Sequence, residues 1–206
     1  MPQVISGLLV TLKLFALTLV LSIPLGVIIA LGRLSKLKVL KIITGVYIAI
    51  LRGTPLLLQI IFIFFGLGLL HIKLDRFIAA LLAITLNYGA YFAEIFRAGI
   101  QSIDVGQYEG AAVLGLSSKD TFFRIIFPQA LKRVMPPVGN EVVTLIKDTA
   151  LIYVVGLDEL LKVGKIAANR DATLLPLVII ALVYLALTYV LSKIMTHFET
   201  KYDYYK

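Results

Sequence analysis

Apolar runs long enough to cross a bilayer recur along this chain from one end to the other. A hydrocarbon core about 30 Å thick needs ~20 apolar residues per helix. Inside it, every backbone N–H and C=O must be paired within the segment or by neighbouring protein. The sequence therefore predicts an all-α integral membrane fold. The first run covers about 5–31 and carries one charge, Lys13, which can snorkel to the interface or face a partner. Pro24 and Gly26 inside it suggest a kink, which neighbouring helices can tolerate by satisfying the freed carbonyls.

A second apolar region, 42–70, is too long for one straight span and is interrupted at Arg52-Gly53-Thr54-Pro55. The interruption predicts a partly inserted amphipathic helix, a break, and a span over about 55–70. Thr54 would cap that span and Pro55 would open it. The break reads either as a simple kink or as a helix N-terminus offered at membrane depth to an anionic group. Further spans are predicted at about 77–99, 135–155 and 172–195, making five in a single transmembrane domain of 1–206.

Composition agrees with this reading. Hydrophobic residues make up 60% of the chain and charged residues 16%, against about 25% charged in a typical soluble domain. The N-terminus lacks a basic region and a small-residue cleavage site, and reads as the start of a mature span. The net charge of +8 records topology. Arg33, Lys36, Lys38, Lys41, Arg97, Lys119, Arg124, Lys132, Arg133, Lys193, Lys201 and Lys206 fall on one side of the spans. Lys73, Arg76, Lys162, Lys165 and Arg170 fall on the other. The positive-inside rule then puts the N-terminus outside and the C-terminus in the cytoplasm. Basic residues that punctuate apolar runs do not form the soluble basic face that nucleic acid requires, so no nucleic-acid partner is expected.

Several chemistries lack their residues. There is no cysteine, no phosphate-binding GxxxxGK[ST] loop, and no His/Asp/Glu cluster at metal spacing. His71 and His197 would lie on opposite sides of the membrane, so no nucleophile–base pair forms. The chain is not expected to be an enzyme or to hold a catalytic or metal site.

Polar residues inside spans are costly and seldom face lipid. Asn87, Tyr91, Glu94 and Arg97 share one helical face of the third span. The pair Glu94–Arg97 reads either as a structural ion pair or as part of a polar path. In the fourth span Asn140, Thr144 and Lys147 or Asp148 line one face, with Glu141 and Asp148 seven residues apart. Between these two spans lies a polar segment, about 104–130, rich in small residues.

That segment carries Glu109-Gly110-Ala111, Gly115, and Ile125-Ile126-Phe127-Pro128. It resembles the cytoplasmic loop of ATP-binding-cassette (ABC) importer permeases: Glu-Ala-Ala, three residues, Gly, nine residues, Ile, one residue, Leu-Pro. Here Gly110 stands for the first Ala and Phe127 for the Leu. The stretch from Arg52 to Gln59, the stretch from Tyr88 to Ile100, Pro128-Gln129-Ala130, Asn140, and Lys147-Asp148-Thr149-Ala150-Leu151 are similar to the polar amino-acid uptake subfamily (histidine/arginine/glutamine type). The resemblance implies the type I importer fold and a multi-pass location in a prokaryotic cell membrane.

It also implies partners. These are two cytoplasmic ATP-binding subunits that supply ATP and Mg, a second permease subunit as homodimer or heterodimer, an extracytoplasmic substrate-binding protein, an amino-acid substrate and membrane lipid. No cofactor is expected in this chain. Glu109, Gly110, Ala111, Ala112, Gly115 and Pro128 would form the ATPase-coupling loop. Thr54, Asn87, Tyr91, Glu94, Arg97, Asn140, Glu141, Lys147 and Asp148 are the substrate-path candidates. The other reading of the intramembrane charges is an ion-coupled carrier or passive pore that needs no ATPase.

Overall fold

The computed structural model describes residues 2–201, and Lys206 lies outside them. All its regular elements are helical. Helix α1 is Pro2–Leu34, α2 is Lys38–Gly53, α3 is Leu56–Leu69 with a π-helical turn at Phe62–Gly66, and α4 is Arg76–Gln101. Helix α5, Val105–Val113, is short; α6, Phe127–Asp148, is entered through a π-helical turn, Thr121–Ile126, and left through a 3-10 helix, Thr149–Val155. Helix α7 is Leu160–Asp171 and α8 is Leu175–Lys201.

Helices α1, α4 and α8 are each long and apolar enough to cross a membrane. The pair α2 and α3 adds a fourth crossing if it counts as one span, bent by 106° at the break. Helix α3 is about 21 Å long at 1.5 Å per residue, short of the hydrocarbon thickness. The second expected span thus needs the α2 segment to complete it. Helix α6 has the length of a span, but Lys132, Arg133, Glu141, Lys147 and Asp148 make it the most charged of the long helices.

The bundle centres on α4, which packs along α1 and also meets α2, α3 and α6. One face of α1 is small and polar where it meets the bundle: Thr11, Thr18 and Ser22 are fully buried. Apolar burial drives little association between helices already in lipid, so close backbone approach matters more. Gly26 provides it: a Cβ there would sit 2.6 Å from Phe92 Cβ and 3.1 Å from Ala93 N. The core behind this contact is Leu14, Ile60, Ile84, Tyr88, Phe92, Leu145 and Ile152. Helix α1 continues unbroken through Pro24. Helix α8 turns most of its surface outward, with Val178, Leu182, Leu185 and Val190 exposed, as suits a lipid-facing span.

Three boundaries move. The fourth span was expected at 135–155, but the α-helix starts at Phe127 and gives way at Thr149 to a 3-10 helix closed by left-handed Gly156. The last span was expected from 172, but Ala172 has φ 48° and ends α7; Pro176 instead opens α8 one turn later. Thr54 does not cap α3. Pro55 is the residue before Leu56, and its carbonyl accepts from the Leu58 and Gln59 N–H groups.

Candidate functional site: a charged cleft beside a bent helix pair

The break between α2 and α3 leaves the last carbonyls of α2 without helical partners. Two side-chain amides close them. Gln59 Nε2 donates to Leu51 O (2.9 Å), Thr54 O (3.1 Å) and Thr54 Oγ1 (2.8 Å). Asn87 Nδ2 donates to Leu51 O (2.9 Å) and to Gln59 Oε1 (3.0 Å). Thr54 turns its own hydroxyl back to Ile50 O at 2.8 Å. The elbow is also fastened to α4 by Tyr47, whose hydroxyl donates to Leu86 O at 2.6 Å. A 106° bend is thereby held by buried polar bonds, which reward a single geometry.

This elbow forms one wall of a cleft of about 470 Å³. Arg52, Thr54 and Pro55 come from the elbow, Asn87, Tyr88 and Tyr91 from α4, and Glu141, Thr144 and Asp148 from α6. Tyr88 donates its hydroxyl to Asp148 Oδ2 at 2.7 Å, joining α4 to α6. The Arg52 guanidinium lies 5.1 Å from the centre of the Tyr91 ring, a cation–π contact. The cleft therefore holds one cation and two carboxylates, with hydroxyls between them.

Of the substrate-path residues expected from sequence, Thr54, Asn87, Tyr91, Glu141 and Asp148 meet here. Asn87 is 4% exposed and both its amide hydrogens are used by the elbow. Glu94 and Arg97 do not line the cleft. They pair with each other in a two-pronged ion pair, and Arg97 also reaches Gln101. Asn140 is exposed, and its carbonyl accepts from Thr144. Lys147 is directed into a different groove, beside Leu161, Leu177 and Tyr184. Arg52, Tyr88 and Gln59 are the additions. Arg52 and Gln59 bound the Gly-Thr-Pro break in sequence, and Tyr88 follows Asn87, but no local signal pairs Tyr88 with Asp148.

Beyond the C-terminal end of α4 comes α5. Asp104 caps it by accepting from Gly106 N at 2.7 Å. Its C-terminus is closed by a pair of reversed bonds: Leu116 N to Ala111 O (3.1 Å) and Gly115 N to Ala112 O (3.0 Å). Gly115 sits at φ 71°, the left-handed position this closure requires. Ala111 is buried, whereas Glu109, Gly110 and Ala112 face outward. Val113 and Leu114 are 89% and 77% exposed, an apolar tip with no cover. Ser117 then caps the next turn by accepting from Asp120 N at 3.1 Å. Pro128 is the second residue of α6, directly after the π-helical turn, where the backbone is already helical at Ile126. Gln129 of α6 donates to Gln107 Oε1 of α5 at 3.1 Å.

Residues 22–204 match the family of binding-protein-dependent transport system inner membrane components. The chain belongs to this permease family. The arginine transport system permease protein ArtQ of Bacillus subtilis is 36% identical over 202 residues, covering 97% of this permease and 92% of ArtQ. The L-cystine transport system permease protein TcyB of the same organism is 36% identical over 206 residues, covering 99% and 88%. A chain in the crystal structure of an amino acid ABC transporter with histidines superposes with TM-score 0.91 at 37% identity, covering 97% of this permease and 94% of that chain. The permease is thus a multi-pass membrane component with the type I importer fold, and not an enzyme of its own.

Proposed function

We propose that the permease moves a polar amino acid into the cytoplasm, driven by ATP hydrolysis in separate subunits docked on the 109–128 loop. The reading includes five spans with the N-terminus outside and the C-terminus inside, α6 supplying the fourth. It also includes a second permease subunit, two ATP-binding subunits that hold ATP and Mg, and an external binding protein that delivers cargo.

The observation that carries the proposal is the construction of α5. Its outer face presents Glu109, two small residues and an uncovered apolar tip, while its inner face is tied to α6 through Gln107 and Gln129. A partner pressing on that face would tilt α4 and α6 together, and these are two walls of the cleft. Cargo chemistry agrees. A free amino acid has to satisfy a carboxylate and an ammonium, and Arg52 faces Glu141 and Asp148 across the cleft for those roles.

The test is ATPase activity and uptake in a reconstituted complex with its ATPase subunits and binding protein. Glu109→Lys is expected to uncouple hydrolysis from transport by at least tenfold while the chain still assembles in the membrane. Full coupling in that variant would sink the proposal.

A further inference from the structure

The segment 36–43 reads Lys-Leu-Lys-Val-Leu-Lys-Ile-Ile, and every residue in it is exposed. It begins just beyond the end of α1 and runs into the first turns of α2. Such a surface is unusual on both counts. Leu37, Val39, Ile42 and Ile43 are all about 60% exposed. Interleaved with them are Lys36, Lys38 and Lys41, whose ammonium groups have no hydrogen bond or ion pair among the described residues. Arg33 adds a fourth basic residue, donating to Lys41 O at 2.9 Å. Asp75 is the first acidic residue of the chain, so nothing nearby in sequence offsets this charge.

We propose that Lys36–Ile43 is a binding site for anionic phospholipid headgroups in the leaflet where α1 emerges. Apolar side chains this exposed need the acyl boundary of the bilayer, and lysines on flexible stems reach from that depth to the phosphates. Clusters of basic residues next to a span attract anionic lipid through the surface potential. Neutral lipid satisfies the apolar residues but leaves the three ammonium groups without a counter-charge. The inference rests only on α1 lying in a membrane, and is independent of cargo, topology and ATPase coupling.

The chain contains no Trp, so Leu37→Trp gives a lone fluorophore in the segment, and Val39→Trp is a second reporter should the first fail to fold. The full chain is reconstituted in equimolar phosphatidylglycerol and phosphatidylcholine, with bromine on the acyl chains of one lipid or the other. Brominated phosphatidylglycerol is expected to quench about twofold more than brominated phosphatidylcholine. Added salt should narrow the gap, and Lys36→Gln, Lys38→Gln and Lys41→Gln together should remove it. A Leu185→Trp reporter on α8 should show no preference. Equal quenching by the two lipids at both reporters, or a preference that survives the triple substitution, would overturn the proposal. So would loss of the preference when ATPase subunits are added, because the segment would then belong to a protein contact.

Discussion

Gln59→Leu is the most informative single perturbation of the elbow. The substitution keeps side-chain bulk and removes one amide that serves three carbonyl and hydroxyl oxygens. Leu51 O keeps Asn87 as donor, at 2.9 Å. Thr54 O loses its side-chain donor, and one Asn87 N–H loses Gln59 Oε1 as acceptor. Gln59 is 8% exposed and Asn87 4%, so water does not readily replace the bond between them, whereas Thr54 is exposed and water can take its carbonyl. One buried N–H left unpaired costs about 1–3 kcal/mol. The expected loss is therefore about 1–3 kcal/mol, a sizeable fraction of the ~5–15 kcal/mol that holds a typical domain. Thermal unfolding of the detergent-solubilised chain measures it. Asn87→Leu alone should cost a similar amount, and the double variant should cost clearly less than the sum, since both singles break the same Asn87–Gln59 bond. If Gln59→Leu unfolds at the wild-type temperature, or the two substitutions add fully, the amides do not hold the bend. In the reconstituted complex the weakened elbow should also raise the substrate KM, because Arg52 and Thr54 stand on it.

Two further predictions concern packing and pH. Gly26→Ala should destabilise by about 1–3 kcal/mol or more, because the added methyl meets backbone as well as side chain of α4; Gly110→Ala, where a Cβ meets nothing within 4 Å, should hold or raise the unfolding temperature. Glu159, before α7, is fully buried, accepting from Leu161 N and Lys162 N (both 2.6 Å) and from the Tyr184 hydroxyl (3.2 Å). Burial raises its carboxyl above the ordinary Glu range and outweighs those bonds, which pull it down. Its contribution to stability is therefore full below the ordinary Glu pKa and is lost as pH rises through the raised one. Unfolding temperature against pH should show wild type losing ground to Glu159→Gln across that window, and a flat or reversed difference would refute it.

Hydropathy made α1, α4 and α8 legible, because each needs only length and apolar character. The break at Arg52–Pro55 was legible for the same local reason: Gly and Pro act on their own backbone. The cap was not. Thr54 has the side chain of an N-cap, but the carbonyls near it are closed by Gln59 and by Asn87 from another helix, a contact across 36 residues. Glu94 with Arg97 was readable from i, i+3 spacing, although spacing alone left a structural pair and a polar path equally open. In α6 the sequence allowed either Lys147 or Asp148 on the polar face. Neighbouring residues on a helix differ by about 100° in direction, and only packing against α4 and α8 selects Asp148 for the cleft.

The π-helical turn at Thr121–Ile126 bears on that choice. Its i→i+5 bonds, such as Phe127 N to Phe122 O, hold one more residue than an α-turn would. The turn therefore works as a phase setter between α5 and everything downstream. One further residue inserted there would carry Asn140 and Lys147 round into the places of Glu141 and Asp148. The cleft wall would change from doubly anionic to singly cationic with no side chain substituted. The charge of the cleft is thus written partly in the length of a turn that does not line it.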